Sequence, residues 1–598
     1  MHPLLQMPWD AATIMRKKRS IRRELMVKPQ PVEVRIAVLG GSTTQDIVRI
    51  LELFLLDMGI RPSFYESEYG QWYEEACFDT PALAAFNPQI VYLHTTFANL
   101  PLPEINSDIN VLAEEEFQRY HSAWEALSGR YGCTIIQNNF EEPYLRYFGN
   151  LDAVQGVTAY VSKINELFAA YAREHREFFL QDIHYLASAC GLTKWHDREN
   201  YHLYKLVPGY EALPYLAHNL ATLIGAVLGR SRKCLVLDLD NTLWGGVIGD
   251  DGLDGIQLGH ETAAGEGYKE FQAYVKNLSE RGVVLAVCSK NEESIAREGF
   301  THPDSLLKAE DFASFYANWE PKAINLQKIA QELGLGLDSF VFLDDNPAER
   351  DLVRQALPEV AVPEVEGGHP ASYIRCVEEA RYFELAVFTA DDQKRAAQYT
   401  ANRQRATLQA QYTSYDDFLE SLQMEAEIGP FKDIYLDRIT QLTNKTNQFN
   451  LTTRRYTQAE LKQAATENGA VTLYGRLKDK FGDNGLVSVI MGHREEHILV
   501  IDLWLMSCRV LKRGFEYAMF EQLVRLAAVQ GIQEIAGIYY PTAKNKMVQE
   551  FYGELGFHRE GKAEPDGERW IFHLGADRCA HGYHIAVIES EAGNKDER

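Results

Sequence analysis

Short apolar runs without a helical period recur through the first 345 residues, and each ends in small or polar residues. They lie at 34–39, 89–93, 133–136, 177–180, 234–237, 282–289 and 339–343. Such runs predict strands buried on both faces of parallel sheets. Amphipathic segments separate them: 46 to about 56, entered through Gly40-Gly-Ser-Thr-Thr44, and 212–228, with Pro214 in its first turn and Leu216, Leu220, Leu223 and Val227 on one face. Past residue 420 a second kind of core begins. Strands are expected at 424–428, 471–477, 486–491, 498–506 and 534–539, the middle three antiparallel, with helices at 434–449, 515–529 and 546–555. The pattern therefore predicts an α/β multidomain chain divided into 1–229, 230–365, a helical connector at 366–420 and 421–598. In the connector, Tyr382, Leu385, Ala386 and Phe388 are the expected buried contacts.

Composition narrows the classes. A formal charge of -25 and a pI near 5.2 argue against sequence-independent nucleic-acid binding, which needs a basic footprint. No run is long and apolar enough to span a membrane. The first 23 residues carry six Arg and Lys but no apolar core of signal-peptide length. Eight cysteines, scattered singly with no CxxC, argue against structural zinc and for a reducing compartment. A cytoplasmic enzyme is the resulting expectation.

The candidate chemistry stands at strand ends, where open α/β sheets hold their ligands. The run 234–237 delivers Asp238, Asp240 and Thr242; the run 282–289 ends in Ser289; Lys322 opens a helix after Trp319-Glu-Pro; Asp344 and Asp345 follow the run 339–343. Two acids at one strand end suit a metal-dependent phosphoryl transfer, one as nucleophile and the other as acid and base. These motifs, in this order, resemble the haloacid dehalogenase (HAD) superfamily, and the resemblance implies a HAD Rossmann-like central domain. It also implies Mg²⁺ held by the Asp238 carboxylate, the Asp240 carbonyl and Asp345, with Ser289 and Lys322 on the phosphoryl oxygens and Asp344 orienting Lys322. Ser289 follows Asp238 by 51 positions and Lys322 follows Ser289 by 33, too few for a large cap domain. An open site is expected, with the glycine-rich stretch 244–253 as a hairpin flap.

Asp238-Leu-Asp-Asn-Thr-Leu-Trp-Gly-Gly-Val247, Asn318-Trp-Glu-Pro-Lys322, Phe342-Leu-Asp-Asp-Asn-Pro-Ala-Glu-Arg350 and Phe388-Thr-Ala-Asp-Asp-Gln-Lys-Arg395 resemble the FkbH-like family of HAD proteins, associated with acyl carrier proteins in polyketide pathways. The order of elements after residue 420 is similar to the GNAT acyltransferase fold, whose members bind acyl-pantetheine thioesters. In its phosphate loop, Arg509-Val-Leu-Lys-Arg-Gly514, the last glycine is kept and Lys512 replaces the first, which favours the single phosphate of a carrier-protein pantetheine over free coenzyme A. Arg509, Lys512 and Arg513 are candidate contacts for that arm or for an acidic carrier protein. Cys508, just before the loop, is the candidate acyl carrier; Cys234 and Cys288 read as core. The amide-rich stretch 441–450, with Asn444 and Asn447, either binds pantetheine or satisfies a helix end with its own side chains.

The amino-terminal third looks like an SGNH or flavodoxin-like domain. Ser42 stands where an SGNH nucleophile would, yet Asp182, His184, His196, Asp197 and His202 are mis-spaced for its partners, so a helix-capping serine is the competing reading. The resemblances imply a bifunctional glyceryl transferase/phosphatase: 1,3-bisphosphoglycerate acylates Cys508, the group passes to a carrier-protein phosphopantetheine, and the remaining phosphate is removed at Asp238, before or after that transfer. The alternatives are a Mg²⁺-dependent phosphatase for a phosphoprotein with a binding-only last domain, and a non-enzymatic carrier-protein scaffold.

Overall fold

The computed structural model describes residues 2–589 apart from 79, 105–106, 366–368, 390–391, 393, 410, 447, 468, 543–544, 564–566 and 576–581. The chain divides into two compact units, one of residues 1–230 with 457–460 and the other of 231–456 with 461–598.

The first unit is built on β1 (Val32–Gly40), α1 (Gln45–Asp57), β2 (Ile60–Glu66), β3 (Ile90–His94), α2 (Ile109–Tyr131), β4 (Thr134–Asn138), α3 (Val157–Glu174), β5 (Phe178–Gln181) and α4 (Leu213–Val227). The strands are parallel in the order β2-β1-β3-β4-β5, the flavodoxin-like arrangement in which winding reverses between β1 and β3. Alternate residues of β1 feed two cores: Ile36 and Val38 pack with α1 and α4, and Ala37 and Leu39 with α2 and α3. β2 was not foreseen, because it is an edge strand with Pro62 in it and only its first residue buried.

The carboxyl edge of this sheet is crowded with polar groups that satisfy one another. Asn99 donates to Gly41 O at 2.8 Å, Asn138 Oδ1 accepts from Thr95 N at 2.9 Å, and His94 lies between Tyr92 Oη and Val207 O, 3.0 Å from each. Glu141 is buried with Phe97 N as its donor, and burial pushes its pKa up to about 7. A carboxyl whose folded pKa is raised holds its proton more tightly when folded, so its contribution is present below its unfolded pKa and is lost as pH rises through about 7. Glu141→Gln should therefore gain stability over the wild type between pH 5 and pH 8, by up to about 3 kcal/mol in guanidinium denaturation; a pH-independent difference would contradict this.

In the second unit, β6 (Cys234–Leu237), α5 (Ala263–Glu280), β7 (Val284–Ser289), β8 (Ser314–Ala317), α6 (Lys322–Leu333), β9 (Phe340–Leu343) and α7 (Pro347–Ala356) form a parallel sheet of order β8-β7-β6-β9. β6, β7 and β9 are wholly buried; β8, an unforeseen edge strand, is not. The stretch after Trp244 is not a hairpin. One helical turn, Ile248–Asp251, is closed by a reciprocal backbone pair between Gly245 and Gln257, at 3.0 and 2.8 Å. Asp251 Oδ2 accepts from Val247 N, and this carboxylate favours a compact loop over a two-residue turn.

Helix α8 (Arg395–Gln409) shares in two cores: Tyr399 packs with Ala286 and Cys288 of β7, while Arg405 makes a bidentate pair with Asp479 at 2.8 Å. Of the expected connector contacts Tyr382 is buried, Leu385 and Ala386 are half-buried, and Phe388 is exposed, since no apolar neighbour covers it among the described residues.

The remaining elements are β10 (Met424–Gly429), α9 (Leu436–Lys445), β11 (Phe449–Asn450), β12 (Val471–Asp479), β13 (Gly482–Glu495), β14 (Ile498–Met506), α10 (Phe515–Val529), β15 (Glu534–Tyr539), β16 (His558–Ala563), β17 (Gly567–His573) and β18 (Ile585–Glu589). The sheet order is β16-β17-β15-β14-β13-β12-β10-β18, with β11 on β14. β14 and β15 run parallel for only three residue pairs, Ile498 with Glu534 to Val500 with Ala536. Beyond them the chain's own segment enters: Phe449 and Asn450 pair with Met506 and Leu505, Leu451 N donates to Trp504 O at 3.1 Å, and Tyr540 N donates to Leu451 O at 2.9 Å. This tongue is buried, with Phe449 and Leu451 in the core.

Candidate functional site

Asp238 is set by the end of β6, where its N–H donates to Leu343 O of β9 at 3.0 Å. Lys322, the first residue of α6, is buried with its ammonium 3.0 Å from Asp238 Oδ2 and in an ion pair with Asp344 Oδ2. Burial alone would lower its pKa, but the two carboxylates outweigh burial and hold it above its ordinary value. Asp344 is fully buried and its other oxygen accepts from Asn346 N at 2.8 Å. Burial and the like charge of Asp238 push its pKa up, and Lys322 pulls it back. Asp345 is likewise raised, by burial and then by Asp238.

Oxygens of Asp238, Asp344 and Asp345 lie within 4.8 Å of one another, the one such group of three among the described residues. One ammonium does not neutralise three carboxylates, and Asp238 Oδ1 is buried with no hydrogen-bond partner. An all-oxygen donor set with excess negative charge and an unsatisfied buried oxygen fits a hard divalent cation such as Mg²⁺.

Asp240 takes three donors: Trp244 Nε1 at 2.9 Å and Ile248 N at 3.1 Å on Oδ1, and Asn291 Nδ2 at 3.1 Å on Oδ2. Burial, with Asp238 adding to it, raises its pKa against those donors, which suits a group that must hold a proton and then give it up. Ser289 is buried at the end of β7, and Thr242 is buried with an unpartnered hydroxyl. Three supporting residues were not singled out from sequence: Trp244, Asn291 and Arg350. Buried Arg350 donates to Asp344 O at 2.9 Å and Asp345 O at 2.8 Å and pairs with Glu364, so it fixes the backbone that aims both acids. The motif ending in Arg350 was its only sequence signal.

Elsewhere the expected sites are rearranged. Ser42 is buried with an unpartnered hydroxyl, and it does not cap α1, whose N-cap is Thr44. Asp182 and Asp197 cap short helices, His196 binds Glu142 O, His202 is exposed, and among the described residues no hydrogen bond joins any of them or His184 to the Ser42 hydroxyl.

In the carboxyl-terminal body, Arg513 is not a surface contact. It is buried, donating to Asp479 at 3.2 Å, Asn402 at 3.0 Å and Arg509 O at 2.6 Å, and burial with the like charge of Arg405 lowers its pKa to about 10. Arg509 is buried too and reaches Asn484 O at 3.3 Å. Lys512 is exposed, and its backbone keeps the left-handed turn that a glycine would favour, with φ +62°. Gly514 opens α10 at φ +79°.

Asn444 donates to Tyr456 O at 2.9 Å, while Asn450 accepts from Thr453 N at 2.9 Å, so this amide-rich stretch largely satisfies its own helix end and tongue instead of presenting its groups outward. Asn447 and the side chain of Cys508 lie outside the described residues; the Cys508 backbone starts a short 3-10 turn after β14.

Residues 35–225 match the family model described as the FkbH N-terminal domain. The N-terminal part of the protein BF1531 from Bacteroides fragilis, solved containing a phosphatase domain complexed with Mg, is 32% identical, covers 62% of this chain and 98% of its own, and has a TM-score of 0.57. The PaiA N-acetyltransferase from Thermoplasma acidophilum, solved with coenzyme A, is 12% identical over 25% of this chain and 99% of its own, with a TM-score of 0.21. No curated protein matches the chain in sequence. With its parallel β6–β9 sheet and the acidic site at its carboxyl edge, the chain belongs to the FkbH-like family of HAD phosphatase-type proteins.

Proposed function

We propose that this chain is a Mg²⁺-dependent phosphatase coupled to glyceryl transfer onto the phosphopantetheine of an acyl carrier protein. The observation that carries the phosphatase half is Lys322 held between Asp238 and Asp344, with Asp238 Oδ1 buried and unsatisfied. Asp238, Asp345 and the Asp240 carbonyl would hold Mg²⁺, which would supply the positive charge that lets carboxylate and phosphate approach. A carboxylate oxygen of Asp238 forms the new bond to phosphorus, the bond to the leaving oxygen breaks, and Asp240 gives that oxygen its proton. Asp240 then takes a proton from water as the water oxygen attacks phosphorus, which frees Asp238 and inorganic phosphate. Ser289 and Lys322 hold the phosphoryl oxygens.

For the transfer half, the Cys508 thiolate attacks the acyl carbon of 1,3-bisphosphoglycerate and expels its acyl phosphate, and the thioester then passes to the pantetheine thiol. The parting of β14 and β15 supports a GNAT-like reading of this body. One observation favours a second reading, a phosphatase whose last domain only binds: the tongue at 449–451 fills the space between the parted strands.

Intact mass spectrometry of carrier protein incubated with the chain, Mg²⁺ and 1,3-bisphosphoglycerate separates the two. A glyceroyl-sized gain on the carrier, lost with Cys508→Ala while hydrolysis of an aryl phosphate persists, supports coupled transfer. No gain with intact hydrolysis leaves the second reading.

A further inference from the structure

Of the chain's eight tryptophans, six are buried and Trp9 is half-buried, but Trp319 is 76% exposed. It stands on the short loop that joins two groups of the phosphate site. Asn318 N donates to Ser289 O at 3.1 Å at one end, and Lys322 begins α6 at the other.

The loop is held without the indole. Asn318 Oδ1 accepts from Glu320 N at 3.0 Å and from Asn325 Nδ2 at 2.8 Å, and Glu320 pairs with Lys328. Trp319 has no ring or cation partner among the described residues. Among the described residues nothing covers this large apolar surface on a fixed loop. On the stretch after Asp240, Val247 is also exposed, one residue before the Ile248 N–H that binds Asp240. Exposed Asp250 and Asp254 stand on the same flap.

An exposed indole between two groups of the phosphate site offers a flat apolar face to an uncharged chain, and the exposed acids of the flap offer nothing to a second free carboxylate. We infer that Trp319 is a specificity determinant, packing against the uncharged amide-and-methyl arm of a substrate whose terminal phosphate sits between Asp238, Ser289 and Lys322. The inference rests on the phosphatase reading above and names its substrate class: a phosphate ester borne on an extended acyl arm, not a free metabolite.

The test compares Mg²⁺-dependent phosphate release by the full chain from 3-phosphoglycerate and from its pantetheine thioester. With Trp319→Ala, kcat/KM for the thioester relative to the free acid should fall about tenfold, chiefly through KM, and Trp319→Phe should recover most of the loss. An equal fall for both substrates, or no fall for the thioester, overturns the inference. So does a change in oligomeric mass on Trp319→Ala, which would make the indole a self-contact.

A second readout is independent of turnover. Acrylamide quenching of tryptophan emission, dominated by the exposed Trp319, should weaken when the thioester binds Asp238→Asn protein, and unchanged quenching counts against the arm. Should the wild type release phosphate from neither substrate, the phosphatase reading falls, and the quenching result still decides the role of Trp319.

Discussion

Asp238→Asn is expected to stop phosphate release almost completely, by about 10⁴-fold or more, while the chain stays folded. The amide fills the same volume at the end of β6 but cannot form the phosphoryl bond that the proposed mechanism assigns to the Asp238 carboxylate. It also removes one of the two carboxylates around Lys322, so the lysine keeps only Asp344 as an ion-pair partner. The measurement is steady-state phosphate release from an aryl phosphate at saturating Mg²⁺, with circular dichroism to confirm folding. Folded variant protein that keeps more than about 1% of wild-type turnover would remove Asp238 as nucleophile.

Lys322→Met is expected to damage both stability and chemistry. The lysine is the ammonium between Asp238 and Asp344, and Asp344 is fully buried. Removing one partner from a buried charge set leaves the other uncompensated, at a cost of about 3–5 kcal/mol. Chemical denaturation in EDTA should show this loss, and saturating Mg²⁺ should return part of it by supplying the missing positive charge. An unchanged midpoint in EDTA would mean that the carboxylates take up protons in its place and that Lys322 is not needed to hold the charge. Arg350, which binds the backbone of Asp344 and Asp345 and not their carboxylates, cannot stand in for it.

What the sequence disclosed follows from where each signal lies. Strands β6, β7 and β9 are buried on both faces, so their apolar runs are unbroken and their acids stand out at the ends. Edge strands and very short ones do not read this way: β2 tolerates Pro62 and alternates in exposure, and β11, though buried, is only two residues long. The acids of the site were legible because carboxylates at strand ends are unusual. Their supports were not, because the hydrogen bonds of Trp244, Asn291 and Arg350 depend on tertiary placement. Arg513 was misread for a related reason: sequence displays its charge but not Asp479, 34 positions away, which buries it. The two readings of the amide-rich stretch could not be told apart for the same reason, since Asn444 finds its acceptor 12 residues on, in the chain that returns past the tongue.

That tongue sets a condition on anything that would enter between β14 and β15. Leu451 already occupies the Trp504 carbonyl and the Tyr540 amide, and it is covalently tethered, so its effective concentration there is on the order of millimolar. A free pantetheine at micromolar levels loses that competition. An arm delivered by a docked carrier protein is tethered as well, which makes the contest one between two local strands. Under the acyl-transfer reading, carrier docking is then the event that decides which strand the sheet accepts, and small-molecule thioesters should be poor stand-ins for the loaded protein.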